Sequence, residues 1–317
     1  MKALITGGAG FIGSHLADAL LRQGHQVTAL DSLLFGNKLG QDARRAVKLI
    51  EGDVRDRTVV ARAVEGCEMI YHFAAVVGVE VVMKQPVMTM ETEAMGLRNV
   101  TEAALEAGVR RIVYASSSDV YGGMNGGESM DEIQSVAPVS SYAVAKRFNE
   151  IYLASLGQER GLEAASIRYF NVYGPRQDER MVVPRFFRQA MAGEPVRVFS
   201  DGAQTRDFTY VDDAVAATLL VAEKFRGCPI VNVATGVERP IRDVAGEIIA
   251  CCGSPSKVAF AAPASGRKPF EVARRVGSCA RLREMTGFTA AVELRQGLDR
   301  TLAALRGTDG TGDKAKA

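Results

Sequence analysis

Seven consecutive residues, Gly7-Gly-Ala-Gly-Phe-Ile-Gly13, constrain this chain more than any other stretch. Ala3 to Ile5 ahead of them has the length of a short strand, and Phe11, Ile12, Leu16, Ala19 and Leu20 recur at helical spacing behind them. The glycines therefore join a strand to a helix. Gly8, Gly10 and Gly13 match the dinucleotide fingerprint: one glycine for the tight turn, one for close approach of backbone to a pyrophosphate, one for helix packing on the sheet. The helix start then offers unpaired N–H groups and partial positive charge to phosphates.

A glycine turn that binds nothing is the plain alternative. The next strand weighs against it: Gln26 to Leu30 ends in Asp31, 18 positions past Gly13. A carboxylate there accepts hydrogen bonds from the adenosine ribose hydroxyls and repels a 2′-phosphate, so the expected cofactor is NAD rather than NADP. The fold class this implies is α/β, a doubly wound parallel Rossmann sheet with a smaller C-terminal lobe.

Composition excludes several partners. A formal charge of +2 with both signs interspersed offers no field for nucleic acid or an anionic membrane. No apolar run approaches a membrane span and no signal-peptide layout precedes the first strand, so the expected location is cytoplasmic. Five scattered cysteines lack a Cys-x-x-Cys pair, and the three histidines stand far apart, so no metal site is expected.

Further along, Val47 to Ile50 reads as a third strand, closing on Asp53 and Val54. Asp53 suits either the adenine edge or the cap of a helix starting near Asp56. Met69 to Phe73 is a fourth strand, and the small residues Ala74 and Ala75 let backbone pass close to the cofactor. Thr89 to Ala107 is helical, ending at Gly108, and Arg110 to Tyr114 begins a fifth strand that runs into Ser116, Ser117 and Ser118. These hydroxyls are either turn formers or donors aimed into the crevice.

Tyr142 and Lys146 lie one turn apart on a helix capped by Ser140 or Ser141. An ammonium beside a phenol favours the phenolate, which predicts a lowered Tyr142 pKa and a base usable near neutrality. Ala164 to Ile167 is a sixth strand. Later helices are expected at Pro184–Ala192, Asp212–Lys224, Arg242–Cys252 and Glu293–Leu305, with strands at Val196–Phe199 and Ile230–Val233. The resulting division is 1–175 with returning segments near 205–240 for the cofactor, 176–204 and 241–306 for the substrate, and a disordered tail from 307.

In combination, Thr6-Gly-Gly-Ala-Gly-Phe-Ile-Gly13, His72-Phe-Ala-Ala75, Ser116-Ser-Ser-Asp-Val-Tyr-Gly122, Tyr142-Ala-Val-Ala-Lys146, Arg168-Tyr-Phe-Asn-Val-Tyr-Gly-Pro175 and Gln204-Thr-Arg-Asp-Phe208 resemble the extended short-chain dehydrogenase/reductase family. The likeness runs to about Leu305 and is strongest to its NAD-dependent nucleotide-sugar epimerases and dehydratases, the UDP-glucose 4-epimerases above all. It implies Tyr142 as acid/base, Lys146 as ribose clamp and Ser117 as the hydroxyl orienting the sugar.

The same resemblance implies NAD contacts from Gly7, Gly10, Phe11, Ile12 and Gly13, from Asp31, Asn37, Asp53 and Val54, and from Phe73, Ala74, Ala75 and Tyr169. For the substrate it implies Val77, Ser117, Ser118 and Asp119, with Val183, Val198 and Phe199 around it. Asn171, Arg206 and Arg267 would hold the diphosphate, a task that suits the arginine fork. The partners it implies are a nucleotide sugar, a UDP-hexose, and a second copy of the chain through the 89–107 and 142–156 helices.

This chain departs from the family pattern at four places: Val77 replaces a lysine, Glu93 an asparagine and Ser278 an aspartate, and Lys268-Pro-Phe-Glu271 replaces Pro-Gly-Asp. Asp119 separates the reactions. In 4,6-dehydratases a glutamate there takes the C5 proton; here the carboxylate is one methylene shorter, which favours 4-epimerisation over dehydration. A ketoreductase and a non-catalytic NAD-binding sensor are the remaining alternatives.

Overall fold

The structure is a computed structural model that describes residues 1–123, 129–262 and 272–308. Its first half alternates strand and helix: β1 (Lys2–Thr6), α1 (Phe11–Arg22), β2 (Gln26–Asp31), α2 (Gln41–Ala46), β3 (Lys48–Glu51), α3 (Arg57–Val64), β4 (Met69–His72), α4 (Val79–Lys84), α5 (Pro86–Glu106), β5 (Arg111–Ser117), α6 (Ser141–Arg160) and β6 (Glu163–Tyr169). The second half is less regular: β7 (Asn171–Tyr173), α7 (Val182–Met191), β8 (Val196–Phe199), β9 (Thr205–Tyr210), α8 (Val211–Lys224) and β10 (Ile230–Val233) lead into β11 (Glu238–Pro240) and α9 (Ile241–Cys252). The chain then runs through β12 (Val258–Ala261), β13 (Arg274–Arg275), α10 (Ala280–Thr286) and α11 (Leu294–Thr308).

Seven strands form one parallel sheet in the order β3-β2-β1-β4-β5-β6-β10. Because the chain winds outward from β1 to β3 and then crosses to β4 on the other side, the order reverses between β1 and β4. Ligands of open α/β sheets bind beyond the strand ends at such a reversal.

Both faces of the sheet are buried, as period-2 side-chain alternation requires of a parallel sheet covered by helices. Ile5, Ala29, Tyr71, Val113 and Ile167 pack into one apolar layer with residues of α1 and α8. Their strand neighbours Leu4, Leu30, Ile70, Ile112 and Tyr114 pack into the other, with residues of α3, α5 and α6.

Beyond the main sheet, β9 pairs with β7, β11 and β13, and β8 pairs with β12. The sequence periodicity did not reveal β7, β9, β11, β12 or β13. Alternation is in fact present in β9: Arg206 and Phe208 line one cleft, with Gln204 just ahead of the strand, while Asp207 turns away and accepts N–H bonds from Thr235 (2.9 Å) and Gly236 (2.8 Å).

Several boundaries shift for local reasons. α5 starts at Pro86 rather than Thr89, since proline's fixed φ and missing N–H suit a first helical turn. Asp56, not Asp53, caps α3, accepting from Thr58 N at 2.8 Å. Ser140 is the α6 cap, accepting from Ala143 N at 3.0 Å. α11 continues through Gly307 and Thr308, so those two residues of the expected tail are helical; residues 309–317 lie outside the described residues.

Candidate active site

The loops at the carboxyl ends of β1, β2, β4, β5 and β6 open into one cleft of about 1250 Å³. That exceeds the roughly 300–1,000 Å³ of a site for a single small ligand, so two ligands can meet there.

Its floor is the glycine turn. Gly7 has φ +70°, and a Cβ on Gly13 would lie 2.2 Å from Gly7 O, so α1 can approach the turn only with hydrogen at position 13. Gly10 caps α1 with no side-chain hydrogen bond, which leaves the first-turn N–H groups for an anion. Asp31 closes the far side of the turn, where its carboxylate accepts from Ala9 N (3.0 Å) and Leu33 N (2.9 Å). Burial raises its pKa while those N–H bonds oppose the rise, and a carboxylate's further lone pairs suit ribose hydroxyls. This constellation fits a dinucleotide.

Asp53 and Val54 border the same end of the cleft, as do Phe73, Ala74 and Ala75 after β4. Arg55 grips the Asp53 carboxylate at 2.7 Å and holds its pKa low. Ala74 N donates to Thr6 Oγ1 (3.2 Å), which also lies 2.7 Å from His72 Nδ1, so the ends of β1 and β4 are tied together. Burial lowers the His72 pKa to about 3 and keeps that ring neutral. Asn37 is not part of the lining: its Oδ1 accepts from Leu39 N at 3.0 Å, while its neighbours Gly36 and Lys38 face the cleft.

Tyr142 and Lys146 project from the first turns of α6 into the centre of the cleft. Lys146 Nζ lies 5.4 Å from the Tyr142 ring centroid and donates to Ala115 O at 2.7 Å. The expected lowering of the Tyr142 pKa is not what the structure shows. Burial raises it, the Glu93 and Asp119 carboxylates add to the rise, and a Ser117 hydrogen bond and Arg275 oppose it. Burial is the main reason, and Lys146, the cation that would oppose it, is itself paired, its Nζ 3.0 Å from Glu93 Oε2 with both side chains buried.

The three serines divide. All three border the cleft, but the Ser116 hydroxyl is already committed, donating to Glu150 Oε1 at 2.7 Å. Ser117 Oγ also accepts from Asp119 N at 3.1 Å, which starts a short 3-10 helix over Ser118–Tyr121. Asp119 faces the cleft and is ion-paired to Arg275 from β13. No local pattern could reveal that partner, 156 positions away.

Tyr169, Asn171, Val77, Val183, Phe199 and Arg206 also line the cleft. Arg206 Nη1 donates to Thr205 O and to Val272 O at 2.8 Å. Val198 does not reach it: Arg197 and Phe199 face the cleft, so strand alternation turns Val198 into the core at 1% exposure. Arg267 and Lys268–Glu271 lie outside the described residues. Sequence reasoning missed Arg180, whose guanidinium lies 3.5 Å from the Phe35 ring centroid and whose Nη1 donates to Val77 O at 3.1 Å, bridging the rim.

The NAD dependent epimerase/dehydratase family model matches residues 3–234. The chain is 35% identical to the UDP-N-acetyl-alpha-D-glucosaminuronate decarboxylase of Bacillus cytotoxicus, covering 96% of this chain and 98% of that protein. It is 34% identical to the UDP-glucose 4-epimerase of Mycolicibacterium smegmatis, over 96% and 99% of the two. The solved UDP-glucose 4-epimerase of Thermus thermophilus, in complex with NAD, superimposes with a TM-score of 0.88 at 34% identity over 97% and 99%. This chain is an enzyme of the NAD-dependent epimerase/dehydratase family.

Proposed function

We propose that the protein is a nucleotide-sugar 4-epimerase acting on a UDP-hexose. The observation that carries this reading is the Asp119–Arg275 ion pair beside Tyr142. A carboxylate engaged by a guanidinium and one methylene short is poorly placed to take a C5 proton, whereas Tyr142, Lys146 and Ser117 remain assembled for chemistry at C4.

When bound, NAD supplies a reversible acceptor for the hydride on the sugar's C4. Tyr142 takes the proton of the 4-hydroxyl and returns it after the ring has turned over, and Ser117 orients the reacting oxygen. Lys146 steadies the cofactor's ribose, while Asp31 accepts the adenosine ribose hydroxyls and Asp53 and Val54 border the adenine. Asn171, Arg206 and Arg267 hold the diphosphate, so the hexose is free to rotate. Residues 1–175 with 205–240 hold the cofactor, and 176–204 with 241–306 form the substrate lobe. Net redox change is zero, so the NAD must stay bound throughout.

A second reading, a UDP-uronate decarboxylase, is supported by likeness to the Bacillus cytotoxicus protein, 35% identical over nearly the whole of both chains. In that reaction the same oxidation at C4 leaves a β-keto acid that loses CO₂. Proton NMR of the protein with UDP-hexoses and UDP-uronates, without added cofactor, separates the readings. We expect the C4 epimer to appear and to reach one ratio from either side. A pentose product would establish the decarboxylase; a C6 methyl doublet beside a 4-keto product would make it a dehydratase.

The pairing of two copies is proposed through α5 and α6. Met90, Met95, Val144, Phe148 and Ile151 stand 41–52% exposed on these two packed helices, an apolar face of the kind a homodimer buries. Light scattering at micromolar concentration should give twice the 34.0 kDa chain mass; a single-chain mass would reject the dimer.

A further inference from the structure

Glu93 is a buried charge that a Tyr–Lys acid/base pair does not require. It sits inside α5 at 0% exposure, where a carboxylate survives only with a partner. That partner is Lys146, 3.0 Å from Oε2. Tyr114 OH is 3.4 Å from the same oxygen, and Oε1 has no hydrogen-bond partner among the described residues. Asn149 locks the arrangement, its Nδ2 donating to Glu93 O at 3.0 Å and to Tyr114 OH at 2.9 Å.

We propose that Glu93 is a positioning residue that holds Lys146 in place and withholds its charge from Tyr142. The proposal rests on the reading of Tyr142 as the acid/base. Lys146 has three N–H donors; Ala115 O takes one and Glu93 another, which leaves one for a ligand. At Tyr142 the paired ammonium and carboxylate act as a dipole rather than as a cation.

The other groups around the pair do not replace this balance. Asn149 from α6 is neutral, Tyr114 from β5 is pushed up by burial and then by Glu93, and His72 from β4 is held neutral by burial. Asp119 and Arg275 face Tyr142 as an ion pair of their own. Glu93 itself is raised by burial, with Lys146 pulling it back. An unbalanced ammonium this close lowers a phenol pKa by about 1–3 units, so removing the carboxylate should release a pull of that size.

The test follows the Tyr142 proton directly, by titrating NAD-bound protein labelled with ¹³C at tyrosine Cζ; loss of one signal in Tyr142→Phe assigns it. Glu93→Gln should move the Tyr142 midpoint about one pH unit or more toward acid, and the acid limb of kcat/KM with it. Glu93→Asp, which keeps the charge, should stay within about half a unit of the unsubstituted protein. An unmoved midpoint in Glu93→Gln overturns the proposal.

Should that variant fail to fold, Glu93→Gln/Lys146→Met removes the pair as a unit, a change that buried pairs tolerate. Its midpoint should match the unsubstituted protein's; a rise of about one unit would mean that Lys146 acts on Tyr142 uncancelled, and the proposal fails. If Tyr142→Phe still turns over, the acid/base reading fails instead, while the titration reports separately on Glu93.

Discussion

Replacing Tyr142 with phenylalanine should lower kcat about a thousand-fold, roughly 4 kcal/mol of transition-state stabilisation, with NAD affinity and thermal stability nearly unchanged. The substitution removes one oxygen and keeps the ring. Lys146 keeps its bonds to Ala115 O and Glu93, neither of which involves the phenol, so the proposed clamp on the cofactor stays in place. Ser117 still accepts from Asp119 N, so the end of β5 is held. What disappears is the phenol hydrogen-bonded to Ser117, and with it the proposed proton acceptor at the sugar oxygen. Turnover measured by product NMR, beside NAD binding by titration, checks this. A loss under tenfold would place the base elsewhere.

The second large effect is on stability. Glu150→Gln should destabilise the protein by about 3–5 kcal/mol, because it leaves Arg168 charged and buried without a counterion. Arg168 is 1% exposed, and its Nε and Nη2 each donate to Glu150 at 2.8 Å. Burial opposes the guanidinium charge, but the Glu150 bonds outweigh it, and Arg168 holds its proton more tightly than usual. It therefore cannot escape the loss by neutralising.

Glu150 also accepts from Ser116 on β5 and pairs with Arg147 at 3.0 Å, so one carboxylate ties α6 to two strands. Lys146 lies one turn earlier on the same face, so a loosened α6 should also slow turnover. At roughly 2.1 cal/mol/K per residue, the expected fall in Tm is about 5–8 °C by scanning calorimetry. The double variant Glu150→Gln/Arg168→Met should recover most of it, since both charges then leave together. A single variant within about 0.5 kcal/mol of the unsubstituted protein would refute the argument.

Much of this protein is determined by local sequence. The strand, glycine turn and helix around Gly7–Gly13, the acid at the end of β2, and the Tyr142–Lys146 spacing rest on contacts within a few residues, where periodicity, φ preference and helix pitch suffice. So do the strands of the main sheet, which read as apolar runs because both their faces are buried. Tertiary structure decided the rest. β9 and β13 exist because each has a partner strand far away in sequence, and the inward turn of Val198 follows from how β8 packs. Electrostatics was the least legible. Tyr142 and Lys146 on one helix predict a lowered phenol pKa, yet burial reverses it, with Glu93 on α5 and Asp119 in the 3-10 turn after β5 adding to the rise. Coulomb interactions and desolvation depend on distance through space and on burial, and neither is written in the spacing of residues along a chain.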